Sequence, residues 1–136
     1  MSGPALRSKD SHSSIHEAAI LEANELTELI DQLIRDNHAG QALEVAYILV
    51  EHWETRTLRH AEAEEDGLYR EFVEKTPELK ETIVALTRDH QLLRLIVMEI
   101  KDILAKDGVN KDVLQRFQAL ILIDLLHNQE EMKLLA

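Results

Sequence analysis

Hydrophobic positions in this chain recur at helical spacing almost from end to end. Turned about 100° per residue, Ala19, Ala23, Leu26, Ile30 and Leu33 fall on one face. Ala42, Leu49, Trp53 and Leu68 form a second stripe. Leu79, Ile83, Leu86, Leu93, Val97 and Leu104 form a third, and Val113, Leu120, Ile123 and Leu134 a fourth. Nowhere do apolar and polar residues alternate as a strand requires, and no short repeat is visible.

The breaks between stripes are marked by few residues. Gly40, after Asn37-His38-Ala39, reads as a helix stop in the left-handed conformation, and Gly108 as another. Pro77 reads as the first residue of a helix capped by Thr76, and Asn110 as the cap of the last helix. Ser14-Ile15-His16-Glu17 has the form of a capping box. These signals predict helices over roughly 14–38, 41–75, 77–107 and 110–135. Connections this short force neighbouring helices to be antiparallel. The expected fold is all-α, an up-down-up-down antiparallel four-helix bundle. Residues 1–12 are expected to be a disordered tail and 13–136 the bundle. Met98, Ile121 and Leu122 widen the stripes beyond one seam, which suggests a homodimer.

Composition narrows the function. The 136 residues carry 26 acidic and 15 basic side chains, a net charge of −11, and no cysteine. Without thiolates there is no disulfide, no Cys-bound zinc and no Cys-held iron–sulfur cluster. The acidic balance argues against nucleic acid and against an anionic membrane surface. No run is long and apolar enough for a transmembrane helix, and the first residues lack the apolar core of a signal peptide. A cytoplasmic location is expected.

The 7 histidines change the picture most. His16, His60, His90 and His127 each fall on the core stripe of a different helix. Trp53 and Leu49 flank the line of His60 at about 20° on either side. Ile83 and Val97 do the same for His90, and Leu120 and Leu134 for His127. Across the three turns, paired histidines are equidistant from the turn within about three residues, or roughly 5 Å at 1.5 Å rise. Four imidazoles therefore meet in one layer. His60 is followed by Glu64 and His127 by Glu131, and an i,i+4 offset keeps each carboxylate on the inward face. Four imidazoles and two carboxylates buried together would cost many kcal/mol uncompensated. A pair of metal ions compensates, and nitrogen plus oxygen donors suit iron, manganese or zinc.

The other histidines read as structural or solvated. His12 lies in the tail, His38 at a helix C-terminus and His52 on a flank. Glu65 reads as a solvated acid, and Glu130 stands as the alternative to Glu131. Trp53 reads as core rather than as an electron carrier. A ferritin-like site would need two E-x-x-H elements, and the chain has only Asp124-x-x-His127. A metal-free interaction bundle remains the bland alternative.

The order His16 … His60-x-x-x-Glu64 … His90 … His127-x-x-x-Glu131 resembles the hemerythrin-like (HHE cation-binding) domain family. The segments HAEAEEDGLY, RDHQLLRLIVMEI and HNQEEMKLL carry the likeness. It implies a non-haem centre of two iron ions with a bridging oxygen species. By that likeness His16 and His60 would hold one iron, His90 and His127 the other, and Glu64 and Glu131 would bridge. Oxygen-carrying hemerythrins have a further histidine one turn after the first on helix three, where this chain has Arg94. They also have Asp where this chain has Glu131. The first departure implies open metal positions, suited to reaction with O2, peroxide or NO rather than to oxygen carriage, and the second further weakens a carrier role. The alternative is an iron-binding sensor or storage module without turnover. Arg94 either pairs with a site carboxylate or extends to solvent.

Overall fold

The computed structural model describes residues 9–135. Helix α1 spans Lys9–Arg35. A second helical run extends without interruption from 39 to 75, but not as a uniform α-helix. It consists of α2 (Ala39–His52), a π-helical stretch (Trp53–Leu58), α3 (Arg59–Ala63), a second π stretch (Glu64–Leu68) and α4 (Tyr69–Lys75). A 3-10 turn (Pro77–Leu79) leads into α5 (Lys80–Asp107), and α6 (Lys111–Met132) completes the chain. The described residues contain no strand. No helix among them is long and apolar enough to cross a membrane.

The ends of the helices show which local signals hold. Asn110 accepts a hydrogen bond from the Val113 amide at 3.0 Å, as an N-cap should. Gly108 stops α5 with φ of 73°. Four expectations are corrected. The stop after α1 is made by Asn37, whose φ is 61°, and Gly40 instead lies inside α2. The His38 amide donates to the Leu33 carbonyl (2.8 Å) and the Asn37 amide to Ile34 (3.1 Å), the paired bonds of a Schellman ending. Asn tolerates the left-handed region well enough for this role, so the stop came three residues early. Ser14 is not a cap, because α1 already runs through it from Lys9. Thr76 makes no side-chain cap, and the helix after it begins with a 3-10 turn. Residues 9–12, expected in the tail, are helical. The rest of the expected tail, residues 1–8, lies outside the described residues.

Helix α1 packs against α2 and α6, and α5 packs against α6 and the second helical run. Most helical stability in such a chain comes from burial of these facing stripes. The predicted stripes on the second, third and fourth helices are largely buried, with Ala42, Leu49, Leu93, Val113 and Leu120 at 0% exposure. The apolar interior divides in two. A large cluster includes Ile30, Leu49, Trp53, Leu93, Ile100, Phe117 and Leu120. A smaller one contains Leu68, Tyr69, Ile83, Leu86 and Leu135. On α5 His90 falls between Leu86 of the small cluster and Leu93 of the large one, and Glu64 falls between Leu58 and Leu68 in the same way. A polar layer therefore separates two dry ones.

Candidate metal centre

The six residues expected as ligands, His16, His60, Glu64, His90, His127 and Glu131, all reach that layer. His16, Glu64, His90, His127 and Glu131 are buried, and His60 is nearly so. Their ligand atoms form two groups, each with members within 4.8 Å of one another. One is His12, His16, His60 and Glu64, and the other is Glu64, His90, His127 and Glu131. Helical spacing explains how three elements supply pairs. His12/His16, His60/Glu64 and His127/Glu131 are all i,i+4, so each pair projects from one face one turn apart.

His12 is the principal addition. It is 0% exposed, hydrogen-bonds Glu131, and its Nε2 lies 2.8 Å from that of His16. The expectation that it was a tail residue failed because the helix starts earlier than the capping signal implied. The i,i+4 repeat His12-x-x-x-His16 was the available clue.

The two carboxylates have parallel geometry. Glu64 directs Oε2 toward His12 (3.3 Å) and His60 (3.7 Å), and Oε1 toward His90 (3.4 Å). Glu131 directs Oε1 toward His12 and toward His16 at 3.6 Å, and Oε2 toward His127 at 3.2 Å. Each carboxylate thus gives one oxygen to the three-histidine side and the other to the two-histidine side. Glu130 takes no part: it is exposed and pairs with Lys133 at 2.8 Å.

Behind the layer, further carboxylates orient the rings. Glu65 Oε2 lies 2.7 Å from His90 Nδ1, and Asp89 Oδ2 lies 2.9 Å from His127 Nδ1. In both rings this leaves Nε2 facing inward, the arrangement that fixes tautomer and orientation in histidine ligands. Glu65 is therefore not a solvated acid. Arg94 donates to the same Glu65 oxygen at 2.7 Å, so it pairs with a carboxylate one step removed from the layer.

Tyr69 was not legible as a site residue. At a uniform 100° per residue it falls about 180° from His60, on the outside. In the fold it is 2% exposed, stacks on His90 at 5.5 Å and donates its hydroxyl proton to Glu131. The second π stretch lies immediately before it and turns each residue through less than the α-helical angle, which brings Tyr69 inward. Nothing in the sequence marks that stretch. A cavity of about 450 Å³ lies against Tyr69 and Glu65, beside Thr87 and Ile83. His52, expected on a flank, is buried and bonds the Ala19 carbonyl at 2.9 Å.

The electrostatics match a site built for cations. Burial, then the neighbouring His16 and His12, lowers the His60 pKa to about 4. Burial, then His127, lowers that of His90 to about 4. Burial and the adjacent Glu131 push Glu64 well up. Burial alone would raise Glu131 too, but hydrogen bonds from His12, His127 and His16 outweigh it and hold this carboxylate ionised. The neutral imidazoles of His60 and His90 and the carboxylate of Glu131 are ligand forms a divalent ion needs, whereas at His127 burial is outweighed by Glu131 and Asp89, which raise its pKa. Three buried atoms of the layer, His12 Nδ1, His60 Nε2 and Glu64 Oε2, have no hydrogen-bond partner. Unpaired donor atoms packed this closely fit bound metal, and with no sulfur present the donor set is nitrogen and oxygen only.

A pH prediction follows for the metal-free protein. The folded pKa of His60 lies near 4, below its ordinary 6.5, so between these values the unfolded chain takes up a proton that the folded chain refuses. This histidine's contribution to stability is therefore present above pH 6.5 and is lost as pH falls toward 4. His60→Asn should flatten the curve of unfolding free energy against pH of chelated protein in that window, by up to roughly 3 kcal/mol. An unchanged slope would contradict this environment for His60.

Neither the curated proteins nor the solved structures compared with the chain include a match. The model of one protein family, described as the hemerythrin HHE cation-binding domain, matches residues 13–135. With that match covering nearly the whole chain and a buried His/Glu layer at its centre, the chain belongs to the hemerythrin HHE cation-binding domain family.

Proposed function

We propose that this is a non-haem di-iron protein that binds or reacts with O2, peroxide or NO. The carrying observation is the divided geometry of Glu64 and Glu131, each with one oxygen toward either histidine group. Two adjacent cation positions sharing two carboxylates is the occupancy that uses every one of these atoms. His12, His16 and His60 would hold one ion, His90 and His127 the other, and a bridging oxygen species would complete the cofactor. The two sides are unequal, which revises the equal division that the resemblance implied.

When bound, the iron pair would supply electrons and open coordination positions for a small oxidant. The chain's own residues do the rest. The two-histidine side would offer its ion fewer protein ligands, and Arg94 on that side is turned away to Glu65. Tyr69 lies on that side, 3.4 Å from His127 Nε2, with its hydroxyl held by Glu131. Burial and the two nearby glutamates raise its pKa, so the phenol keeps its proton and serves as a hydrogen-bond donor rather than as a phenolate. Glu65 and Asp89 hold the His90 and His127 rings in place as charge changes at the centre.

The same reading includes an up-down-up-down antiparallel course, supported by the short connections and the pairing of neighbouring helices. It also includes a cytoplasmic protein and a homodimer. Met98 (63%) and Leu122 (59%) stay exposed as a dimer would use them, whereas Ile121 is buried within the chain's own core.

The test is elemental analysis of protein purified anaerobically without a metal column, followed by absorbance on adding O2, peroxide or NO. Iron with a new visible charge-transfer band under one of these supports the proposal. Protein without iron, or iron-loaded protein silent to all three, overturns it.

A further inference from the structure

The two rings of the two-histidine side are supported unequally. Glu65 Oε2 accepts from His90 Nδ1 at 2.7 Å and from the Arg94 guanidinium at 2.7 Å, so one oxygen serves both donors. Asp89 Oδ2 accepts from His127 Nδ1 at 2.9 Å, and among the described residues no lysine or arginine pairs with Asp89. His90 therefore faces a carboxylate oxygen that shares its charge with a cation, and His127 faces one that does not.

Arg94 is not needed to hold the ring itself. His90 is 2% exposed, and Tyr69 stacks on it at 5.5 Å with the ring planes 7° apart. The Arg94–Glu65 pair is partly open to solvent, with side chains 35% and 25% exposed, and pairs of that kind add little to stability. What the guanidinium changes is the charge at one atom. A hydrogen bond to an ionised acceptor is stronger than one to a neutral acceptor. A carboxylate behind a histidine raises that ring's basicity toward a cation. A guanidinium on the same oxygen opposes both effects.

We infer that Arg94 is a positioning residue that acts through Glu65. It draws charge from the oxygen facing His90 Nδ1, weakens that hydrogen bond, and makes His90 a poorer ligand than His127 for the ion they share. The inference rests on the reading of the layer as a cation site, but on no particular metal. It gives Arg94 a role although the residue, as a donor only, can bind no cation itself.

NMR of the full metal-free chain at neutral pH reads the His90 Nδ1 proton directly. Arg94→Leu should move its resonance downfield as the bond to Glu65 strengthens, and leave that of His127 in place. Glu65→Gln should move it upfield. Arg94→Leu added to Glu65→Gln should move it little further, because the carboxylate through which Arg94 acts is gone. Zinc affinity, read by competition with a chelator, should follow the same order. It should rise severalfold in Arg94→Leu and fall about tenfold in Glu65→Gln. A purely structural pair would instead lower affinity in both single variants. The inference is overturned by that result, by a His90 proton that Arg94→Leu leaves unmoved, or by an Arg94→Leu effect that persists in full without the Glu65 carboxylate. Opposed shifts in a chain that binds zinc but takes up no iron would sink the di-iron reading and leave this coupling standing.

Discussion

Glu131→Ala is expected to yield protein with little or no bound metal, whereas Glu130→Ala binds metal as the parent does. The two residues are adjacent in sequence and opposite in environment. Glu131 is 0% exposed and contacts His12, His16, His127 and Tyr69. Its removal takes an oxygen from both cation positions and leaves the Tyr69 hydroxyl and several imidazoles facing an empty space. Breaking a buried network of this kind costs about 3–5 kcal/mol. Glu130 loses only an exposed i,i+3 pair with Lys133, which is worth about 0–1 kcal/mol. Metal content and thermal melts of the two variants together make the measurement. Equal metal binding by both would show that Glu131 is not a ligand.

The second large effect is removal of metal from the unaltered chain, compared with His12→Ala. Metal binds the folded state only, because the layer is assembled from all four long helical segments. At a thousandfold excess over the dissociation constant, binding contributes about 4 kcal/mol to stability. For a domain of this size that corresponds to roughly 10–20 °C in Tm. A chelator should lower Tm by about that amount, and re-addition of ferrous iron should restore it. The metal-free fold should nonetheless persist at room temperature. Glu65 and Asp89 still hold two of the rings, and the large apolar cluster contains none of the ligands. A chain that unfolds completely on chelation would favour a sensor, whose order depends on metal, over a preformed reactive centre.

His12→Ala should show an intermediate result, losing metal from the three-histidine side first. If iron content and the chelator-dependent shift both match the parent, His12 is only a packing residue. The variant therefore separates a six-ligand layer from a seven-ligand one.

The inward positions of His16, His60, Glu64, His90, His127 and Glu131 were legible because each follows from a single helical period and a short turn. A residue on the apolar stripe of an amphipathic helix has nowhere else to go once the stripe is buried. Local rules were less secure where two residues competed for one role. Asn37 and Gly40 both suit a left-handed stop, and the chain uses the earlier one. The capping box at Ser14 was a good local signal overridden by helix that continued back to Lys9 and brought His12 into the layer.

The sequence by itself determined an all-helical, cysteine-free chain whose core stripes carry imidazoles and carboxylates at matching heights. Periodicity is a local property, and it survives into the fold wherever the helix is regular. Tertiary structure alone decided the rest. The π stretches on either side of α3 change the phase of the second helical run and bring Tyr69 onto His90 and Glu131. Contacts between helices made Glu65 and Asp89 the supports of His90 and His127, although neither lies on a core stripe. Such features depend on where a neighbouring helix places its side chains, and no spacing along one chain records that.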